Sequence, residues 1–288
     1  MTVRISDRNA LPSPPSSFVV ALEVDIYKTM CVLVLQSHFC FTIQFFFTIW
    51  QNIVGTGGIE FLIGRFCENS CVILGEGDLT VGLRNRLKIL KKEVFGVGEL
   101  VKLETDMAIS SLNGKTVEGL EKLDRDVSER VNVIEKRCFD CIALYQPVAG
   151  DLRVIGSCLK IITDLERISR LSLHIYDISK EMKSVPKMKS LREMCLIAKE
   201  MLDLSLRAFR EENVKYVEKL SELDDRVDEL FYEIYREVTH RMTEEEEYLA
   251  KGPLILFIAR YLERISDHAC KIGEAVIYMV TGRRETIK

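Results

Sequence analysis

Asp224 and Asp228 stand four residues apart, and so do Glu263 and Asp267. On a helix that spacing puts both members of a pair on one face, one turn apart. Carboxylate oxygens are hard donors, so four of them suit magnesium, manganese, calcium or iron better than a thiolate-seeking ion. The plainer reading of any one such pair is a solvated helix face, since outer faces of helices carry charge. Two weaker counterparts lie upstream. Asp124 is followed by Ser128 and Glu166 by Arg170, where the later pairs have their second acids.

Little else in the chain offers chemistry. There is no Ser/His/Asp set, no Gly-rich phosphate loop and no H-E-x-x-H. His38, His174, His240 and His268 are scattered. His268 follows Asp267, but helix neighbours point about 100° apart, which works against joint ligation. Cys138 and Cys141 form a lone CxxC on an apolar periodicity, which reads as small core residues. Nine cysteines without regular spacing make no disulfide framework and fit a reduced, cytoplasmic setting. A net charge of −4 with interspersed signs provides no stripe for nucleic acid.

The elements that must carry these acids are helices. After residue 80, apolar residues recur at intervals of three and four, which marks one helix face. Six such runs are visible. They pass through Leu87, Leu90, Val94, Val97, Val101 and Ala108; then Val127, Val131, Ile134, Cys138 and Cys141; then Ile161, Leu165, Ile168, Ile175, Ile178 and Met182. The next three pass through Leu191, Cys195, Ala198, Leu202 and Phe209; through Leu220, Leu223, Val227, Leu230, Ile234 and Val238; and from Ile255 through Leu262, Ile265 and Ile272 to Met279. Asn113-Gly114, Gln146-Pro147, Pro186 and Glu211 to Asn213 separate them. Thr243 and Glu246 fit a capping box, with Gly252-Pro253 restarting the sixth helix. Helices of about 25–30 residues need antiparallel neighbours to bury such stripes.

Leu-Glu-Arg-Ile-Ser occurs twice, at 165–169 and 262–266, a period of 97 residues. That period exceeds a solenoid repeat and fits a three-helix bundle. The predicted fold is all-α: two tandem three-helix bundles from an internal duplication, at residues 81–184 and 187–282. Glu263 and Asp267 fall far round from the Leu262/Ile265 seam and are expected to face outward. If the fifth and sixth helices are neighbours, the four carboxylates converge at the bundle surface.

Residues 1–80 differ in character. No Asp, Glu, Lys or Arg occurs from Thr29 to Ile59, and Met30 to Trp50 is long enough to span a bilayer. Three readings stand: a segment outside the working fold, with translation starting near Leu79 or Val81; a single membrane anchor, weakened by Gln36, Ser37, His38 and Gln44; or a buried extra element.

Two stretches resemble the signature segments of the PhoU family of phosphate-uptake regulators. Gln146-Pro147-Val148-Ala149-Gly150-Asp151-Leu152-Arg153 runs on to Asp164-Leu165-Glu166-Arg167-Ile168. Ala259-Arg260-Tyr261-Leu262-Glu263-Arg264-Ile265-Ser266-Asp267-His268-Ala269 leads to Thr281-Gly282. The resemblance covers about residues 83–282. It implies a non-enzymatic cytoplasmic regulator beside a phosphate ABC transporter and a sensor histidine kinase. Such a protein represses the starvation response, restrains uptake, reaches the membrane through its partners and commonly forms homodimers. It also implies iron or zinc, or another divalent cation, held by acidic pairs on each bundle. Here the second bundle keeps Asp224, Asp228, Glu263 and Asp267. The first keeps only Asp124 and Glu166, and Arg170 puts a fixed cation one turn from Glu166. One competent metal site is therefore expected, in the second bundle. Ser169 and Ser266 replace a glycine usual in the family, a change expected to matter less. The alternatives are a metal-binding interaction module of another pathway and a carboxylate-metal bundle enzyme. Enzymes of that kind use inward-pointing Glu-x-x-His pairs that do not occur here.

Overall fold

The computed structural model describes residues 76–182 and 185–287. The readings made for residues 1–75 lie outside them. Six α-helices follow in order: α1 Glu76–Leu112, α2 Leu120–Tyr145, α3 Ala149–Met182, α4 Lys189–Glu211, α5 Leu220–Glu244 and α6 Glu246–Thr281. A single 3-10 turn, Val214–Tyr216, joins α4 to α5. No strand occurs among the described residues, and no helix among them is long and apolar enough to cross a membrane.

The turns lie where the sequence puts them. Helix α1 ends just before Asn113-Gly114, α2 at Gln146, and α4 at Glu212, with Gln146 and Glu212 in the left-handed region that closes a helix end. Nearly all the seam residues are buried, with Leu223 and Ile178 partly so. Helix α2 begins at Leu120, directly after Gly119, which takes a left-handed conformation (φ 85°). Two expectations fail. No capping box forms at Thr243. That residue still belongs to α5, where its hydroxyl donates to the His240 carbonyl, and Glu245 is the single break before α6. Nor do Gly252 and Pro253 restart a helix: α6 begins at Glu246, and Pro253, its eighth residue, lies past the first turn, where it removes the amide that would donate to the Leu249 carbonyl, yet α6 runs on to 36 residues.

Each bundle closes on itself: α1, α2 and α3 pack mutually, and so do α4, α5 and α6. The bundles also pack on each other, through α3 against α6 and α1 against α4, whereas α2 and α5 pack chiefly within their own bundles. Both belong to one compact unit, Leu74–Lys288. Their buried apolar side chains form a single continuous cluster instead of two cores. Ion pairs mark the α1–α4 seam: Lys91 with Glu212, Lys102 with Asp203, and Lys199 with Asp106 at 2.7 Å. Gly98 permits close approach there, since a Cβ on it would collide with the Leu206 side chain.

Candidate acidic site

The two copies of the pentapeptide sit at equivalent places in α3 and α6, each facing an acid-bearing helix: α2 in the first bundle, α5 in the second. Leu165, Ile168, Leu262 and Ile265 are fully buried. The seam they form fixes the rotation of both helices and so the direction of the flanking acids.

In the second bundle α5 packs on α6, which brings an acid of each helix within electrostatic range of Glu263. Glu263 feels both Asp267 on its own helix and Asp228 on α5. Burial and these two like charges push its carboxyl above the ordinary range, while Arg260 bonds to it and works the other way. Asp224 is 2% exposed and belongs to the core side of α5. The outward orientation expected for Glu263 and Asp267 is corrected: both are half-buried, because α5 covers the flank of α6 that bears them. Among the described residues, no group of three or more His, Cys, Asp or Glu side chains is gathered as a ligand set where the side chains stand. The donor set is nonetheless all oxygen, crowded with like charge and partly desolvated. Those features fit a hard cation, which would compete with Arg260 for Glu263.

In the first bundle the equivalent acids are already occupied. Arg170 Nη1 bonds to Asp124 Oδ2 at 2.8 Å, and its Nη2 donates to Ser128 Oγ at 3.2 Å. Ser128 in turn donates to Glu166 Oε1 at 3.1 Å. The guanidinium thus takes the place a cation would occupy. Its partner differs from the expectation: Arg170 pairs with Asp124 across the helix–helix groove, not with Glu166 on its own helix. Asp124 is only 4% exposed, and an ionised carboxylate so placed needs a charged partner at hand.

One residue of this site escaped the sequence reading. Glu104 of α1 is 0% exposed and accepts from Ser169 Oγ at 2.6 Å. Ser169 also reaches Asp124 Oδ1 at 3.3 Å, so the serine expected to matter little joins two buried carboxylates. Desolvation is the main cause that pushes Glu104 up to about 8. The charge of Asp124 adds to the shift, while Ser169 and Arg170 oppose it. The available signal was an acid in core register, between Val101 and Ala108, at the place Met201 takes in the second repeat.

The remaining candidates are structural. Cys138 and Cys141 are buried on α2, and desolvation pushes the Cys138 thiol up to about 12 and the Cys141 thiol upward, away from thiolate chemistry. His268 points into the α3–α6 interface, where its Nδ1 lies 2.9 Å from Asp164 Oδ1. His174 packs on Tyr261.

Known proteins resemble this chain in sequence and fold. The PhoU domain model matches twice, at residues 96–179 and 191–276, one copy per bundle. The chain is 33% identical over 205 residues to the phosphate-specific transport system accessory protein PhoU homolog 1 of Methanothermobacter thermautotrophicus, covering 69% of this chain and 94% of that one. It is 35% identical over 206 residues to the PhoU homolog of Aquifex aeolicus, covering 69% and 93%. The crystal structure of PhoU from Pseudomonas aeruginosa superposes with a TM-score of 0.67 at 26% identity, over 69% of this chain and 99% of that one. With its domain matched in both bundles and relatives matched over nearly their whole length, the chain belongs to the PhoU family of phosphate transport accessory proteins.

Proposed function

We propose that the protein is a non-enzymatic regulator of phosphate uptake. It contacts the ATPase subunit of a phosphate ABC transporter and a sensor histidine kinase, represses the phosphate-starvation response and restrains uptake. The observation that carries this reading is the PhoU domain matched once in each bundle, in relatives named as transport system accessory proteins. The role needs surfaces more than a reaction centre. Helices α2 and α5, committed chiefly to their own bundles, present exposed aromatic side chains at Phe139, Tyr232 and Tyr235. In this reading the protein works in the cytoplasm as a homodimer, reaches the membrane through its partners and does not bind nucleic acid. Deleting the gene should derepress alkaline phosphatase and phosphate uptake in phosphate-rich medium. Normal repression in the deletion strain would overturn the reading.

The same reading includes a metal, iron or zinc or another divalent cation, at Asp224, Asp228, Glu263 and Asp267. Its support is the crowding of Asp228 and Asp267 about the half-buried Glu263, set against the Arg170 network that fills the equivalent place in the first bundle. Asp267→Ala should lower metal bound by the purified protein by about tenfold, as loss of a charged ligand does. Glu166→Ala should leave it unchanged. Equal loss from both variants in elemental analysis would contradict the asymmetry.

A further inference from the structure

A cleft of about 480 Å³ opens where the α2–α3 turn meets the C-terminal end of α6. One wall is a single face of α3, formed by Ala149, Arg153, Gly156 and Lys160; the other is Tyr278 of α6 with Arg284 beyond it. Every charged residue lining the cleft is a cation: Arg153, Lys160 and Arg284. None of the three is paired with a carboxylate among the described residues. Arg153 Nε is buried there with no hydrogen-bond partner, an orphaned donor at the cleft wall. The adjoining hollow holds three carboxylates: Glu285 is exposed beside Arg284, and the other two are engaged elsewhere. Asp164 faces His268, and Glu274 accepts from the Ile287 amide at 3.0 Å.

A plainer role for Arg153 is to cover the end of α6, since its guanidinium lies against Gly282, with Cζ 3.4 Å from where a Cβ would be. A helix C-terminus carries only about half a negative charge, however, and three cations exceed what it needs. Arg284 is held in place over the Tyr278 ring, 5.4 Å from its centroid.

We propose that this cleft binds a phosphate group through Arg153, Lys160 and Arg284. Guanidinium groups match phosphate oxygens in bidentate geometry, and the lysine adds a point charge at the rim. The volume exceeds what bare phosphate fills and leaves room for the molecule that bears it. The inference stands on the cleft itself and goes beyond the regulatory role proposed above. Two sources carry this chemistry: a phosphate compound in solution and the headgroup of an anionic lipid. The exposed Leu144, Val148 and Leu152 beside the cleft make the second concrete, since such a turn can sit in a bilayer interface.

The test uses the full chain. Calorimetric titrations with inorganic phosphate and with glycerol 3-phosphate form one arm. Co-sedimentation with phosphatidylglycerol vesicles, against phosphatidylcholine, forms the other. Binding in either arm should weaken about tenfold or more in the Lys160→Gln/Arg284→Gln double variant. Both positions are exposed, so the variant keeps its fold. Arg153→Gln should weaken it further. Binding in the first arm assigns a soluble phosphate compound. Binding only to anionic vesicles, lost also in Leu144→Ser/Val148→Ser, assigns the lipid. Absence of binding in both arms, or binding unchanged in the double variant, overturns the proposal.

Discussion

Replacing Glu104 with methionine is expected to stabilise the protein by about 2–3 kcal/mol at pH 9 and to flatten its pH dependence of stability. Two buried carboxylates, Glu104 and Asp124, stand close to a single guanidinium, that of Arg170. Desolvation raises Glu104 most and the Asp124 charge adds to it, outweighing Ser169 and Arg170, so Glu104 holds its proton up to about 8. Below its ordinary value of 4.5 the residue is protonated in folded and unfolded chains alike and contributes no pH dependence. Between 4.5 and about 8 the unfolded chain releases the proton while the folded chain keeps it, so stability falls as pH rises. Above about 8 that loss is complete. Methionine is the residue the second repeat uses at this place, as Met201, buried in the core. It removes the charge at similar volume. The melting temperature at pH 9 should rise by about 4–12 °C. Glu104→Gln, which keeps an acceptor for Ser169, should flatten the profile as well. A parent and a Glu104→Met variant with the same slope of melting temperature between pH 5 and pH 9 would refute this account.

The second expected result concerns the two leucines that open the pentapeptides. Leu165→Ala and Leu262→Ala should each cost about 3 kcal/mol, from lost transfer energy plus an incompletely collapsed cavity. Both side chains are 0% exposed. For a unit of this size that corresponds to a fall of about 6–12 °C in melting temperature. How the loss appears is the sharper test. Helices α3 and α6 pack on each other and the apolar core is continuous through both bundles, so neither bundle has a core of its own to lose. Either substitution should therefore shift one cooperative transition of helical signal for both bundles together. If Leu262→Ala gave two transitions, with one left at the parental temperature, the bundles would be independent and the shared core energetically idle.

Much of this architecture is legible in one dimension. Periods of three and four locate six helices, because burial of a helix face depends only on spacing along that helix. Asn113-Gly114, Gln146-Pro147 and Pro186 mark the breaks by backbone chemistry that needs no partner. The repeated Leu-Glu-Arg-Ile-Ser identifies the duplication, and Arg170 in place of an acid already marks the first bundle as chemically unlike the second. Where the reading failed locally, at Thr243 and Pro253, a plausible cap motif lost to continuation of the neighbouring helices.

The tertiary structure decided whatever depends on which side chains meet. Arg170 could be read as a cation near Glu166, but packing of α2 on α3 gives it to Asp124. Glu104 looks like any helix acid until α1 is turned against α3 and its carboxyl loses water. The acids at 263 and 267 seemed outward by angle, and α5 covers them. The union of two bundles into one core is a property of the α3–α6 and α1–α4 contacts, which no periodicity within a helix encodes. Periodicity fixes the face a helix hides; the neighbour hidden against, and the charge it brings, are set only when distant helices pack. The paired carboxylates were visible from the start as candidate ligands. Packing decided what the acids of each bundle meet: in the first, Arg170 closes on Asp124, and in the second, Asp228 and Asp267 crowd about Glu263.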